Sequence, residues 1–299
     1  MLSQPDLWKW LIVFCIPFLN SCSVSQHTPA PLQDQVSIAP IRFLLTFDDG
    51  PSGANRNNST QKILDVLAQN SVQPDIKAVF FVQTRAVRGG GTAVGLALLQ
   101  RAYAEGHLLA LHTATKHHDN HRFLKPEDLD TSLQLGIQDL VAISGSAPRL
   151  VRPPFWSYNT NTLSNYHRLG LQMLLTDLSA NDGKIHGVNW SWRKRSNLLY
   201  QLRQMKVGLA DGRFPIIDGN IPVVVTFHDV NTYTARNMDV YLQILLQVAK
   251  ELNLLVAEKP FYDDSIQLEK SALMRTVRDS QGEHYIPGFW GWLWGLRLN

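Results

Sequence analysis

The sequence predicts an α/β domain built from repeated strand–helix units around a parallel sheet, and three observations carry that reading. From Ile41 onward, short runs of apolar, β-branched or aromatic residues alternate with stretches of helical spacing. The runs are near-continuously apolar, as strands covered on both faces are. The size fits one large core: the chain has 299 residues, 44% of them hydrophobic, and its 15 Pro and 19 Gly are too few for a disordered polymer.

In chain order, the expected strands are 41–47 (IRFLLTF), 76–82 (IKAVFFV), 108–111, 149–152, 171–176 (LQMLLT), 221–228 (IPVVVTFH) and 253–257. Helices lie between them. Leu129, Leu133, Ile137, Leu140 and Val141 form a one-sided stripe after Pro126, and Val240, Ile244, Leu245, Val248 and Leu252 form another near the domain end. Roughly seven strands alternating with helices suit either an open doubly wound sheet or a closed barrel. Both architectures place their chemistry at the carboxyl ends of the strands, so the polar residues there are the ones to inspect.

The segments outside this region read differently. Lys9 and the N-terminal amine precede an apolar run from Trp10 to Leu19 that is short for a membrane span, and Leu19-Asn20-Ser21-Cys22 resembles the cleavage box of bacterial lipoproteins. Residues 1–22 are therefore expected to be an export signal, with Cys22 the lipidated start of the mature chain and residues 23–39 a polar linker. The only other cysteine, Cys15, falls inside the apolar run, so no intramolecular disulfide is expected. The expected location is the cell envelope, with the membrane reached through a lipid anchor. A formal net charge of +3 with 18% charged residues lacks the dense basic stripe of a nucleic-acid binder.

Two strand ends carry candidate chemistry. The first closes on TFDDGP, Thr46 to Pro51, where two adjacent carboxylates leave a strand and point in different directions, so that one can bind a metal while the other stays free as a base. An Asx turn at Asp49 is the plain structural alternative. The third strand opens into LHTATKHHDNH, with His112, His117, His118 and His121 close together. Two imidazoles and one carboxylate suit zinc and related divalent ions and leave positions open for water and substrate.

Five segments in order, TFDDGP, GHLLALHT (106–113), VRPPF (151–155), TDLSANDG (176–183) and VVTFHD (224–229), resemble the motif set of the polysaccharide deacetylases with a NodB-type domain, over about residues 41–257. The resemblance implies a distorted (β/α)7-type barrel spanning 40–258, with residues 259–299 left as an aromatic-rich tail. It implies a divalent ion, usually zinc, held by Asp49 and His112, and an N-acetylated glycan as substrate. By position, Asp48 is the implied general base, Arg152 its holder, His228 the general acid, Asp182 the residue that orients His228, and the Phe155 backbone N–H an oxyanion donor.

Three departures qualify the match. The usual second histidine of the third-strand motif is Lys116 here, and an ammonium cannot ligate, so the third ligand is expected to be His117, one residue further on, with His118 and His121 as the other choices. Gly183 stands where the family has a tryptophan, leaving Trp156, Trp190 or Trp192 to offer a sugar-stacking wall. The segment 184–220 is long and basic, and the chain ends in PGFWGWLWGLRLN, suited either to a membrane interface or to packing on the domain. Two other functions fit the same residues: a catalytically silent glycan-binding lipoprotein, and a hydrolase of acetyl esters or cyclic amides.

Overall fold

The structure is a computed structural model, described here over residues 39–182 and 194–278. The expected export signal, linker and Cys22 lie outside those residues, as do Gly183, Trp190, Trp192 and the aromatic chain end. Among the described residues, no helix is long and apolar enough to cross a membrane.

Among the described residues, eight strands and seven α-helices follow one another in the expected strand–helix rhythm, with one strand more than the sequence predicts. They are β1 (Ile41–Asp48), α1 (Ser59–Ala68), β2 (Val79–Gln83), α2 (Ala93–Ala104), β3 (Leu108–Thr113), α3 (Pro126–Ser144), β4 (Leu150–Val151), α4 (Thr160–Arg168), β5 (Gln172–Met173), β6 (Leu178–Ser179), α5 (Lys194–Ala210), β7 (Ile221–His228), α6 (Thr232–Glu251), β8 (Val256–Phe261) and α7 (Ser265–Met274). The strand ladders are parallel, in the order β5-β4-β3-β2-β1-β7-β6, and β8 pairs with the first half of β1. The edges β5 and β6 share no ladder. Instead the intervening chain bonds to both sides: Leu174 N–H donates to Val151 (3.0 Å) and Asp177 N–H to Val224 (3.0 Å). A distorted barrel results; the expected strand 171–176 is reduced to β5 at 172–173, and β6 at 178–179 is an additional short strand beyond it.

Side chains alternate along each strand, which divides the apolar residues into two layers. Leu44, Val79, Phe81, Ala110, Leu150, Leu174 and Val224 fill the inside of the curled sheet together with Leu268 and Ala272 of α7. Phe43, Leu45, Phe47, Phe80, Leu111, Val223, Val225 and Phe227 face the helices in the larger outer cluster.

The helix stripes are placed largely as expected. Leu129, Leu133 and Leu140 of α3 are buried, whereas Val141 is 38% exposed and Val240 of α6 is 44% exposed, each at the edge of its apolar face. The helix α3 begins at Pro126 and stops at Gly145, whose φ of 76° is the left-handed cap that glycine favours. Gly136 lets α3 approach β3: a Cβ there would sit 2.4 Å from Leu111 Cδ1. The ordered barrel also continues past residue 258, where the sequence places the start of a tail. β8 runs to Phe261, α7 buries Leu268 and Ala272, and Val277 bridges back to Met173.

Candidate active site

The site follows from strand parity. On β1 the residues of the inner face are Leu44, Thr46 and Asp48, and on β7 they are Val224, Thr226 and His228, paired in register as Leu44↔Val224, Thr46↔Thr226 and Asp48↔His228. On β3 the same face carries Ala110 and then His112, and on β4 Leu150 is followed by Arg152 just past the strand end. The apolar interior thus gives way, two residues before the carboxyl ends, to a layer of threonines and then to ionisable groups.

Arg152 and Asp48 form the buried floor of this layer. The guanidinium is fully buried; Nη1 donates to Asp48 Oδ1 (2.8 Å), Thr46 Oγ1 (2.7 Å) and Thr226 Oγ1 (3.0 Å), while Nε and Nη2 donate to the carbonyls of Leu174 and Leu175 (2.9 Å each). Its plane lies over the Phe81 ring, 4.1 Å from the centroid. The second Asp48 oxygen accepts from Trp156 Nε1 (3.2 Å). Trp156 is only 6% exposed, so it orients the carboxylate and does not offer the stacking wall considered from the sequence.

Across β1, His228 Nδ1 donates to Asp182 Oδ1 (2.7 Å), and Asp182 Oδ2 accepts from the His228 N–H (2.9 Å) and from Thr234 Oγ1 (2.5 Å). Asp182 is wholly buried. Burial by itself disfavours the His228 imidazolium, but the carboxylate of Asp182, joined by those of Asp49 and Asp48, outweighs it and raises the pKa to about 10.

Beside these pairs three donor atoms converge. Asp49 Oδ1 lies 3.2 Å from His112 Nε2 and 3.1 Å from His118 Nε2, and the two Nε2 atoms are 3.0 Å apart. Among the described residues this is the group that could hold a metal ion. The chemistry of the donors fits one. His112 Nδ1 lies 2.7 Å from the Arg152 carbonyl, which can only accept, so Nδ1 carries the proton and Nε2 presents its lone pair to the centre. Burial pushes the His118 pKa down. For Asp49, burial opposes ionisation, but the neighbouring histidines hold its carboxyl well below the usual range. Separations of 3.0–3.2 Å are close to the edge of a tetrahedron with zinc–ligand bonds of about 2.0–2.1 Å, which is roughly 3.3 Å.

The expected third donor, His117, is not in this group. Its side chain is exposed, and His118 takes the place. The loop after β3 does bulge, but by one residue more than expected: Thr115 N–H donates to Thr113 Oγ1 (3.1 Å), Asp119 N–H donates to Thr115 Oγ1 (3.0 Å), and His118 adopts a left-handed φ of 56°. That turn carries Lys116 and His117 outward and turns His118 back. His121 is buried apart from the centre, with Nδ1 2.7 Å from the Tyr166 hydroxyl, and burial lowers its pKa to about 3.

Backbone strain marks the same place. Among the described residues other than Gly, Asn and Asp, positive φ occurs at His118, Phe155 and Trp156, all at this site, and Asp49 joins them at 72°. The Phe155 ring lies 4.7 Å from that of His118.

The model of the polysaccharide deacetylase family matches residues 39–174. A chitooligosaccharide deacetylase of Bradyrhizobium sp. is 31% identical over 171 residues, covering 57% of this chain and 70% of the relative. The chain belongs to the polysaccharide deacetylase family. A second deacetylase relative, the chitin deacetylase of Pestalotiopsis sp., is 28% identical over 177 residues, 56% of this chain and 55% of that protein, so the chain spans about half of that relative's length. In fold, the chitin deacetylase of Colletotrichum lindemuthianum superposes with a TM-score of 0.52 at 22% identity over 74% of this chain and 87% of its own. Within the deacetylase family the barrel is thus the shared scaffold, while the His118 loop and the Trp156–Asp48 bond are features of this chain that the motif order alone did not disclose.

Proposed function

We propose that this protein is a metal-dependent deacetylase that hydrolyses N-acetyl groups of an amino-sugar polymer in the cell envelope. The observation that carries the reading is the placement of a three-donor centre between an aspartate held by an arginine and a histidine held by an aspartate. Asp49, His112 and His118 would hold the ion, and a set of two imidazoles and one carboxylate favours zinc. A divalent ion there supplies Lewis acidity toward an acetyl carbonyl and toward water.

The protein's own groups do the rest. Asp48, fixed by Arg152 and Trp156, accepts a proton from the water that attacks the acetyl carbon. His228, kept protonated and aimed by Asp182, donates a proton to the sugar nitrogen as the C–N bond breaks, leaving acetate and a free amine. The Phe155 backbone N–H, presented by its left-handed turn beside His118, donates toward the developing oxyanion. The relatives named for chitin and chitooligosaccharides support an N-acetylglucosamine polymer, and the N-terminal Leu19–Cys22 box supports attachment to a membrane facing it.

The test is acetate release by the zinc-loaded protein from chitooligosaccharides, poly-N-acetylglucosamine and peptidoglycan, with an acetylated xylan as ester control. Release from at least one amino-sugar polymer is expected. Release from xylan alone would replace the amide reading with an ester one, and release from none would leave a glycan-binding protein.

A further inference from the structure

The residue after His228 is a buried acid that the reaction does not use. Asp229, the first residue past β7, is wholly buried, and its carboxyl lies against Gly50 in the loop that carries Asp49. Oδ2 accepts from Thr60 Oγ1 (2.7 Å), and that hydroxyl in turn accepts from the Ser52 N–H (2.8 Å). The carboxyl also occupies the space beside Gly50: a Cβ at residue 50 would lie 2.1 Å from Asp229 Oδ2 and 2.2 Å from Oδ1. From the other side, Gln83 holds the same loop, its N–H donating to the Gly50 carbonyl (2.7 Å) and its Nε2 to that of Asp49 (3.1 Å).

An acid so placed gains little as a stabiliser. It has one neutral hydroxyl donor for Oδ2, and Oδ1 has no hydrogen-bond partner. An apolar side chain of similar volume would avoid the desolvation cost. What the carboxyl supplies is position, because it links the strand of His228, the first turn of α1 and the loop of Asp49 through one hydrogen-bonded chain. Asp49 needs such support: its φ of 72° is a left-handed conformation that must be held by its surroundings.

We propose that Asp229, through Thr60 and its contact with Gly50, is a positioning residue that sets the direction in which Asp49 projects its carboxylate toward His112 and His118. The proposal rests on reading those three side chains as a metal centre. It is tested with Asp229→Ala, Asp229→Asn, Thr60→Val and Thr60→Ser, measuring zinc affinity by chelator competition and amide exchange at Ser52 and Gln83 in the metal-free protein. Loss of support behind a ligand typically weakens metal binding about 10- to 100-fold, so Asp229→Ala and Thr60→Val should lose at least about tenfold, with faster exchange at Ser52, while Asp229→Asn and Thr60→Ser stay within about threefold of wild type. Wild-type affinity and exchange in Asp229→Ala would overturn the proposal, as would equal damage in Asp229→Asn and Asp229→Ala. Should Asp229→Ala not fold, the Thr60 pair decides by the same criteria. A wild type that takes up no zinc overturns the metal centre and this proposal together; one that binds zinc yet releases no acetate removes the proposed function and leaves the positioning role intact.

Discussion

Replacing Arg152 by leucine removes the cation from the most buried ion pair of the site. Asp48, 2% exposed, would keep a single donor, Trp156 Nε1, and the carbonyls of Leu174 and Leu175 would lose theirs. Breaking a buried pair by deleting one partner costs about 3–5 kcal/mol, and each stranded carbonyl adds part of about 1–3 kcal/mol. A loss of about 4 kcal/mol or more is expected, against a stability of about 5–15 kcal/mol for a domain. Asp48→Asn keeps an oxygen for Arg152 Nη1, and the threonine and carbonyl acceptors remain, so its cost should be about 2 kcal/mol. Urea unfolding of the two single variants and the double variant gives the coupling directly, and the double variant should fall short of the sum by about 2 kcal/mol or more. A loss below about 1 kcal/mol in Arg152→Leu, or additivity within about 0.5 kcal/mol, would refute the claim that the pair is mutually required in the buried floor.

Further outcomes are expected elsewhere. His118→Ala should lose bound metal while His117→Ala retains it, as read by metal analysis of the purified variants; the reverse pattern would restore the ligand expected from the sequence. His107 is 4% exposed, its Nδ1 accepts from the Ala78 N–H (3.2 Å), and burial lowers its pKa to about 3 from 6.5. The unfolded chain therefore binds the extra proton first. This residue's share of stability is complete above pH 6.5 and falls by about 1.4 kcal/mol per pH unit below it, toward pH 3. His107→Gln should flatten the acid side of a urea-midpoint profile by that slope, and an unchanged profile would show that the ring is not neutral and buried. Cys22→Ala should convert the protein from detergent-extracted to soluble in fractionated cells, as the proposed lipid anchor requires; continued membrane association would remove that anchor.

The sequence disclosed the strands wherever they are long and continuously apolar. β1 and β7 lie within a residue of their expected bounds because eight-residue buried runs have no competing reading. β5 falls inside the expected strand 171–176 but is only two residues long, and the two-residue β6 has too little periodicity to be seen; the closure of the barrel through Leu174 and Asp177 sets both. For the site, Asp48 and His112 stood out in the sequence at strand ends and His228 through the motif resemblance; the structure adds that strand parity places all three on the inner face. The choice of His118 over His117 was not, since it depends on a side-chain-capped turn at Thr115 and a left-handed residue that no spacing rule reports. Trp156 is one of three tryptophans that the sequence offers either for a sugar wall or for packing, and its bond to Asp48 was hidden because it joins residues 108 positions apart. Asp229 was hidden in the same way: its meaning lies in Thr60 and Gly50, which only the fold brings to it.

In the proposed reaction, a metal held by Asp49, His112 and His118 and a base at Asp48 together release acetate from an amino-sugar polymer. The most direct measurement is acetate release from an N-acetylglucosamine oligomer as zinc is titrated into metal-free protein, run in parallel for wild type and Asp48→Asn. No release is expected without metal, release should recover in proportion to zinc up to about one ion per chain, and Asp48→Asn should take up zinc equally yet release no acetate. Full activity in the chelated wild type, or turnover in Asp48→Asn equal to wild type, would contradict it.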